Sequence, residues 1–195
     1  MWDERYGDEE YAYGKSPNDF LVEMIDRIPR GDVLCLCDGE GRNGVYLAQQ
    51  GYRVTSVDAS RAGIAKANKL ADEKGVKITA LTTDLAHFVI APNSWDGIVS
   101  IFCHLPPDLR AQVHQQCVAG LRQHGVLLLE AYTPKQLEFK TGGPTNADMT
   151  MTLKGLEKEL TGLRFDHAVE CDRDVIEGRY HHGRGAVVQL IGVKD

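Results

Sequence analysis

Short apolar runs alternate with segments of helical periodicity over most of this 195-residue chain. The clearest helix begins near Ser16, which we predict as its N-cap, with Pro17 in the first turn and Asp19 near its positive end. Its apolar face consists of Phe20, Leu21, Met24, Ile25 and Ile28. The next run, residues 33–37, is short and continuously apolar, as expected of a strand that is buried on both faces.

Four more strands are predicted at residues 52–57, 76–81, 97–102 and 126–130. Helices lie between them, one capped by Ser60 and another opened by Pro106. Because strands alternate with helices, we expect a parallel sheet that is covered by helices on both faces. Residues 164–169 and 186–193 follow with only a polar loop between them, so they should pair as an antiparallel hairpin.

Composition and charge narrow the class of protein. No apolar run approaches the ~20 residues that span a bilayer, and the N-terminus lacks a signal-peptide pattern, so neither membrane insertion nor export is expected. The five cysteines include no C-x-x-C pair and mostly fall in apolar stretches. This indicates buried thiols in a reducing compartment, and hence a cytoplasmic protein. A formal net charge of −6 would repel a phosphate backbone, so nucleic acid is not an expected partner.

A glycine-rich segment, Gly39-Glu40-Gly41-Arg42-Asn43-Gly44, follows the first strand and precedes a helix. Such G-x-G-x-x-G spacing occurs where backbone N–H groups and a helix N-terminus hold a dinucleotide pyrophosphate. Here Asp38 and Glu40 would place two carboxylates beside that pyrophosphate, which is electrostatically unfavourable. S-adenosylmethionine carries a sulfonium and an ammonium instead, so an acidic glycine loop suits it better. Asp58, at the end of the second strand, can accept hydrogen bonds from the ribose hydroxyls of either ligand.

A glycine turn that only packs helix on strand is the third interpretation of this segment. It is disfavoured because acidic residues, Asp58 and Asp84, follow two consecutive strands.

Taken in order along the chain, these motifs resemble those of the class I S-adenosylmethionine-dependent methyltransferases. The resemblance covers nearly the whole chain, through residues 34–44, 54–60, 83–85, 95–107 and 121–130. The opening Trp2-Asp3-Glu4-Arg5-Tyr6 is similar to the N-terminal cover of small bacterial members, the tellurite-resistance and thiopurine methyltransferase group. The resemblance implies a Rossmann-like, doubly wound α/β fold. Its seven-stranded sheet would be mostly parallel, with only the last-numbered strand antiparallel, in the C-terminal hairpin.

A chain that is 43% hydrophobic and 26% charged suits a single domain spanning residues 1–195. Within that domain we expect an N-terminal cover and first helix over 1–30 and a cofactor-binding core over 31–131. Residues 132–195 should supply a substrate-side loop, at 133–150, and the C-terminal hairpin.

The sequence departs from the family pattern at the first strand. Cys35 stands where the family usually has an acidic residue and Cys37 where it has a glycine, and we expect both to point to one face of the strand as core residues. Arg42 lies at a helix start, where the dipole disfavours a positive charge. It therefore needs a carboxylate partner, for which Glu40 and Asp38 are the candidates in the chain.

The resemblance implies a cofactor site at the glycine loop and the ends of the first four strands. Its predicted residues are Tyr13, Asp38, Gly39, Gly41, Asn43, Asp58, Ala59, Asp84, Leu85, Ile101 and Phe102. Three N-terminal tyrosines are expected either to close over the cofactor or to pack the N-terminal segment onto the sheet: Tyr6, Tyr11 and Tyr13.

Two histidines are the predicted catalytic residues. His104 follows the fourth strand at the mouth of the site, where it would take a proton from the acceptor or hydrogen-bond a carbonyl to fix the turn. His181, in the predicted hairpin loop, is the second candidate, with a solvated loop histidine as the alternative. A zinc site of these histidines and Cys103 lacks any tight ligand spacing, so no metal is expected.

The sequence thus predicts methyl transfer from S-adenosylmethionine to a small-molecule acceptor, and the resemblance suggests a sulfur or chalcogen nucleophile. A nicotinamide-dependent oxidoreductase and a non-catalytic S-adenosylmethionine-binding module are the alternatives. The sequence does not determine the oligomeric state, and a monomer is compatible with it.

Overall fold

The structure is a computed structural model that describes residues 2–195, and its centre is a seven-stranded sheet in the order β3-β2-β1-β4-β5-β7-β6. The strands are β1 (Asp32–Leu36), β2 (Arg53–Asp58), β3 (Thr79–Thr82), β4 (Trp95–Ile101), β5 (Leu121–Tyr132), β6 (Leu163–Glu177) and β7 (His181–Lys194). The first five pair in parallel, and β7 is antiparallel to both β5 and β6. The predicted doubly wound α/β fold, with one antiparallel strand in a C-terminal hairpin, is confirmed.

Seven α-helices and two short 3₁₀ helices, at Ile25–Arg27 and Ala147–Met149, are found within residues 2–195. The α-helices are α1 (Trp2–Arg5), α2 (Asp19–Met24), α3 (Arg42–Gln49), α4 (Arg61–Glu73), α5 (Pro107–Gly120), α6 (Gln136–Phe139) and α7 (Leu153–Glu159). In this part of the chain, no helix has the length and apolar character needed to cross a membrane.

The core is divided by the sheet into two apolar layers. Alternate residues of β1 enter different layers: Leu34 and Leu36 pack in one, and Val33 and Cys35 in the other. Helices α5 and α7 cover the first layer, while α2 and α3 cover the second. All four of these β1 residues are 2% exposed or less, which explains the continuous apolar run in the sequence.

The first helix differs from its prediction at both ends. Its N-cap is Asn18 rather than Ser16, because the Asn18 side chain accepts a hydrogen bond from the backbone N–H of Leu21. Pro17 therefore lies before the helix. The α-helical geometry ends at Met24 and continues as the 3₁₀ turn Ile25–Arg27.

Strands at two other places also differ from the predicted bounds. β3 begins at Thr79 rather than at residue 76, because Val76 lies in the turn that follows α4, where its N–H donates to the Ala71 carbonyl. β1 ends at Leu36, and Cys37 adopts a left-handed conformation with φ 50°. Cys37 consequently packs against the opposite apolar layer from Cys35, so the prediction that the two thiols share a face is wrong.

The C-terminal hairpin is much longer than predicted. Pairing between β6 and β7 runs without a loop from Leu163↔Lys194 to Glu177↔His181, and only three residues connect the strands. β6 alternates half-buried and exposed residues, so it lacks the apolar run that marks a strand in the sequence. His181 and His182, predicted in a polar loop, instead begin β7.

Candidate active site

A cavity of about 710 Å³ opens at the carboxyl ends of β1, β2 and β4, beneath the N-terminal segment and the loop at 142–146. This volume is typical of small-molecule sites. Every sequence-predicted site residue except Gly41 lines it. The lining predicted residues are Tyr13, Asp38, Gly39, Asn43, Asp58, Ala59, Asp84, Leu85, Ile101, Phe102, His104 and His181.

Gly41 has a packing role. It is the N-cap of α3 with φ 83°, and a Cβ at this position would lie 2.6 Å from the Cβ of Ala67. Only glycine allows the loop to approach α4 so closely in this backbone conformation. Gly41 therefore allows the glycine loop to pack on α4 but does not line the cavity.

Asp58 joins the two loops that form the floor of the cavity. One carboxylate oxygen accepts a hydrogen bond from the Gly39 N–H at 2.9 Å, and the other accepts from the Ser60 N–H at 2.8 Å. Burial raises the pKa of Asp58, while these two hydrogen bonds oppose the shift. The carboxylate that was predicted to bind ribose therefore also holds the glycine loop beside the end of β2.

Asp38 is turned inward from the cavity wall. Its carboxylate accepts hydrogen bonds from the Ser56 hydroxyl at 2.6 Å and from the Gly44 N–H, in the first turn of α3, at 3.2 Å. Burial raises the pKa of Asp38 to about 6, against the effect of both hydrogen bonds. The carboxylate thus occupies the helix N-terminus that would hold a phosphate in a dinucleotide site.

Glu40 is buried, with an exposed fraction of 4%, and its charge is compensated by Lys66, whose Nζ lies 2.8 Å from a carboxylate oxygen. The second oxygen lies 3.5 Å from the Tyr13 N–H, which donates to it. Glu40 therefore ties the N-terminal segment to the glycine loop and to α4.

The N-terminal segment contributes tyrosines to the cavity in different ways. Tyr6 and Tyr13 line it, and Arg5 donates a hydrogen bond to the Tyr13 hydroxyl at 3.0 Å. Burial raises the pKa of both tyrosines, so both rings carry neutral hydroxyls at neutral pH. Tyr11 does not line the cavity, because its hydroxyl donates to the Lys66 carbonyl and packs the segment on α4.

The contacts of His104 match the second of its two predicted roles, in which it hydrogen-bonds a carbonyl and fixes a turn. Its Nδ1 lies 2.8 Å from the Met149 carbonyl, and its Nε2 accepts a long hydrogen bond, 3.4 Å, from the Tyr132 N–H. Burial lowers the pKa of His104 to about 4, so the ring is neutral and Nδ1–H donates to the carbonyl. Both ring nitrogens are engaged, although one edge of the ring still lines the cavity.

His181 is 7% exposed and lies in an aromatic cluster at the cavity wall. Its ring centroid is 4.6 Å from that of Tyr13, 4.8 Å from Phe102 and 5.3 Å from Tyr132. The Nδ1 atom lies 3.5 Å from a carboxylate oxygen of Glu177. Burial lowers the pKa of His181, and the hydrogen bond to Glu177 only partly opposes that effect. The structure thus brings this histidine, rather than a solvated loop residue, to the site.

A buried network of charges behind His181 was not found from the sequence. Glu177 pairs with Arg42 at 2.6 Å and accepts a hydrogen bond from the Asn18 side chain at 2.8 Å. Asn18 also donates a hydrogen bond to Glu130, which forms an ion pair of 2.7 Å with Arg173. Arg42 therefore has a carboxylate partner, but neither Glu40 nor Asp38, the candidates in the prediction. The sequence signal for this network was the positive charge of Arg42 at a helix start. Its partner, Glu177, could be located only from the register of the hairpin formed by β6 and β7.

The predicted substrate-side loop also lies at the cavity. Gly142 and Gly143 line it with positive φ angles of 135° and 86°, followed by Pro144, Thr145 and Asn146. The Gln136 side chain donates to the Gly142 carbonyl at 3.0 Å, which anchors the loop to α6. A Cβ on Gly143 would lie 2.6 Å from the Tyr132 ring, so the loop packs directly on the aromatic cluster.

Comparison with protein families matches residues 33–125 to a methyltransferase domain. These residues contain β1 to β4 and the glycine loop. Among curated proteins, the chain is similar to a tRNA (uracil(54)-C(5))-methyltransferase of Pyrococcus furiosus, with 28% identity over 148 residues. That alignment covers 63% of this chain and 34% of the relative, so the chain spans about a third of the relative's length.

Solved structures share the whole fold at low sequence identity. TehB from Haemophilus influenzae aligns with a TM-score of 0.75 and 19% identity, over 100% of this chain and 66% of that one. A structure concerning the conversion of a disulfide bond into a thioacetal group during echinomycin biosynthesis aligns with a TM-score of 0.79 and 17% identity, over 99% and 88% of the two chains. Magnesium protoporphyrin IX methyltransferase from Synechocystis PCC 6803, with bound SAH, aligns with a TM-score of 0.64 and 18% identity, over 89% of this chain and 78% of that one.

The domain match falls on the segment that forms the acidic glycine loop and the floor of the cavity. The chain thus contains a segment, residues 33–125, that matches a methyltransferase domain, and its fold is the one found in these solved structures.

Proposed function

We propose that the chain transfers the methyl group of S-adenosylmethionine to a small-molecule acceptor that presents a sulfur or chalcogen nucleophile. The observation that carries this proposal is the cavity at the strand ends. One half of it is lined by acidic residues and the glycine loop at 38–43, and the other half is aromatic and bordered by the loop at 142–146.

The acidic half fits the cofactor. Asp58 would accept hydrogen bonds from the ribose hydroxyls, and Gly39 allows close approach of the backbone. Asp84 and Leu85, after β3, would border the adenine. When bound, S-adenosylmethionine supplies an electrophilic methyl group on a sulfonium. Acidic side chains at this wall favour that positive charge.

The aromatic half would hold the acceptor. Phe102, Tyr13 and His181 form its wall, and the loop at 142–146 forms its cover. Methyl transfer requires mainly that nucleophile, methyl carbon and sulfur be aligned, which rigid rings and a packed loop can provide. Support for sulfur comes from the fold relatives, one of which concerns chemistry at a disulfide bond.

A nicotinamide cofactor fits the glycine loop poorly. The Asp38 carboxylate already accepts from the Gly44 N–H at the start of α3, and Glu40 lines the same wall. A pyrophosphate there would displace one carboxylate and lie beside another, at an electrostatic cost.

The similarity to a tRNA methyltransferase raises the alternative of a nucleic-acid acceptor. The formal net charge of −6 disfavours it, because a phosphate backbone would be repelled. A binding module without catalysis would have the same cofactor half, so only turnover distinguishes it from an enzyme.

The experiment is a measurement of S-adenosylhomocysteine release in the presence of separate acceptor pools: small aliphatic and aromatic thiols, selenite and tellurite, and unmodified tRNA. We expect turnover with a thiol or chalcogen acceptor. Turnover of a thiol should be lost in His181→Ala and retained in His182→Ala, an exposed neighbour on the same strand. Turnover with tRNA alone would contradict the small-molecule assignment. Cofactor binding without turnover in any pool would favour the binding module.

A further inference from the structure

We propose that Glu177 is a positioning residue that holds His181 with its proton on Nδ1, so that Nε2 faces the cavity as the acceptor of a proton from a neutral nucleophile. This inference rests on the proposed function and narrows it to acceptors that reach the site protonated, of which a thiol is the sulfur case.

The first step is the position of the two ring nitrogens. His181 Nδ1 lies 3.5 Å from Glu177 Oε2 on the side away from the cavity. Nε2 has no hydrogen-bond partner among residues 2–195, and it is not one of the side-chain atoms that are sealed from solvent without a partner. The neighbouring Cδ2 edge lies against Gly142, where an added Cβ would be only 2.9 Å away. The unpartnered nitrogen is therefore on the cavity side, beside the loop.

The second step is that Glu177 can only accept from His181. Burial raises the pKa of Glu177, but the hydrogen bonds from His181 and Arg42, with the Arg42 charge, outweigh it and lower the pKa to about 2. An ionised carboxylate has no proton to donate, so the shared hydrogen must belong to Nδ1. The neutral ring then has its lone pair on Nε2.

The third step is what keeps Glu177 ionised and fixed. Arg42 Nη2 lies 2.6 Å from Oε2, and the Asn18 amide donates to Oε1 at 2.8 Å. Arg173 lies 3.6 Å from Oε1. These partners come from α3, the cap of α2 and β6, so three elements hold one carboxylate behind the ring. A third group that orients a base in this way is the arrangement found in catalytic triads.

The charged and titratable groups around His181 are few. They are Glu177 and Arg42 behind the ring, Arg5 and Tyr13 from the N-terminal segment, Tyr132 from β5, and His104. Burial raises the pKa of both tyrosines, so neither competes as a base at neutral pH. His104 has both nitrogens engaged. Nε2 of His181 is thus the free base that faces the acceptor half.

The proton and electron balance follows directly. The S–H bond of a thiol acceptor breaks, its proton goes to His181 Nε2, and its electron pair forms the new sulfur–methyl bond. The bond between the methyl carbon and the sulfonium sulfur breaks, and its electron pair stays on that sulfur. The imidazolium that remains is stabilised by the Glu177 carboxylate and later releases its proton to water. An acceptor that is already ionised, such as a selenol at neutral pH, skips the proton step.

The test is a long-range ¹H–¹⁵N spectrum of the full chain labelled with ¹⁵N-histidine at pH 7, with His181 assigned by its loss in His181→Asn. We expect Nε2 to show the shift of an unprotonated ring nitrogen and Nδ1 that of a protonated one. In Glu177→Gln, whose amide can donate, the Nε2–H form should become populated. Glu157→Gln, an exposed change on α7, should leave the His181 signals unchanged. Because the wild-type spectrum alone reports the tautomer, a predominant Nε2–H form there overturns the proposal even if Glu177→Gln fails to fold.

A kinetic comparison separates this proposal from the proposed function. If a thiol is methylated, Glu177→Gln should lower kcat by about 10²-fold with little change in KM, and a selenol should lose less than tenfold. Equal losses for both acceptors would overturn the base role while leaving methyl transfer intact. If nothing is methylated, the proposed function fails and the tautomer spectrum still decides the position of the proton.

Discussion

Arg42 and Glu177 form a buried ion pair, 2.6 Å long, that joins the first residue of α3 to the last residue of β6. Their side chains are 9% and 4% exposed. The pair couples the glycine loop to the hairpin that carries His181. The cofactor half and the acceptor half of the cavity are thus connected through one salt bridge.

Replacing Arg42 with methionine should destabilise the fold. The Glu177 carboxylate would stay buried without its main cation, which typically costs about 3–5 kcal/mol. Urea denaturation measures the change. The double variant Arg42→Met/Glu177→Gln removes both charges and should recover part of the loss. A single variant as stable as the wild type would show that the pair does not hold the hairpin to α3.

The two glycines Gly41 and Gly75 provide a matched test of close packing. Both have positive φ, at 83° and 68°, but only Gly41 faces a neighbour at the site of a Cβ, Ala67, while nothing lies within 4 Å of Gly75. Gly41→Ala should cost roughly 2 kcal/mol or more, since backbone strain and overlap add. Gly75→Ala should cost about 1 kcal/mol from strain alone. Thermal unfolding of both variants would show whether the difference exists.

Glu159 should contribute a pH-dependent part of the stability. It accepts from Arg110 and lies 2.7 Å from the His114 Nδ1, so it ties α7 to α5. Burial raises its pKa, but these partners outweigh that and lower the pKa to about 2. A depressed carboxylate pKa stabilises the fold above the unfolded value, near 4.5, and that stability is lost as the pH falls toward 2.

The free energy of unfolding of Glu159→Gln should therefore lie below that of the wild type at pH 6, and the gap should shrink by on the order of 2 kcal/mol toward pH 2.5. Glu157→Gln, an exposed change on the same helix, should follow the wild type at each pH. A gap that is constant with pH would contradict the depressed pKa.

We expect His104 to hold the substrate-side loop in place rather than to transfer a proton. His104→Ala removes the hydrogen bond to the Met149 carbonyl, 2.8 Å long, and should cost about 1–2 kcal/mol. The loop should then be cleaved faster by trypsin after Lys140, which is exposed. His87→Ala, at an exposed position, is the control. An unchanged cleavage rate would argue that the loop does not depend on this histidine.

Much of the fold follows from the sequence because the central strands β1, β4 and β5 are largely buried on both faces. The run at 33–37 could be recognised from continuous apolarity, and β1 to β5 pair in parallel as predicted. The end of the hairpin could not be recognised from the sequence. β6 alternates exposed and half-buried residues, so its sequence resembles that of a polar loop. This is why Glu177 was missed and His181 was expected in a loop.

Most of the residues predicted for the cofactor line one cavity because they follow strands at fixed spacings. The glycine loop, Asp58 and Asp84 meet at one edge, as the ends of parallel strands must. The acceptor half depends on side chains that are far apart in sequence. Arg42 and Glu177 are separated by 135 residues, and no local spacing connects them.

The most direct measurement is isothermal titration of the chain with S-adenosylmethionine and S-adenosylhomocysteine, beside NAD, on the wild type and on Asp58→Asn. The variant keeps the size of the side chain, whose oxygens accept from Gly39 and Ser60, but removes its charge. We expect both sulfur ligands to bind the wild type, about 10- to 100-fold weaker binding in the variant, and no binding of NAD. Binding of NAD with no response to either sulfur ligand would contradict the assignment of the cavity to S-adenosylmethionine.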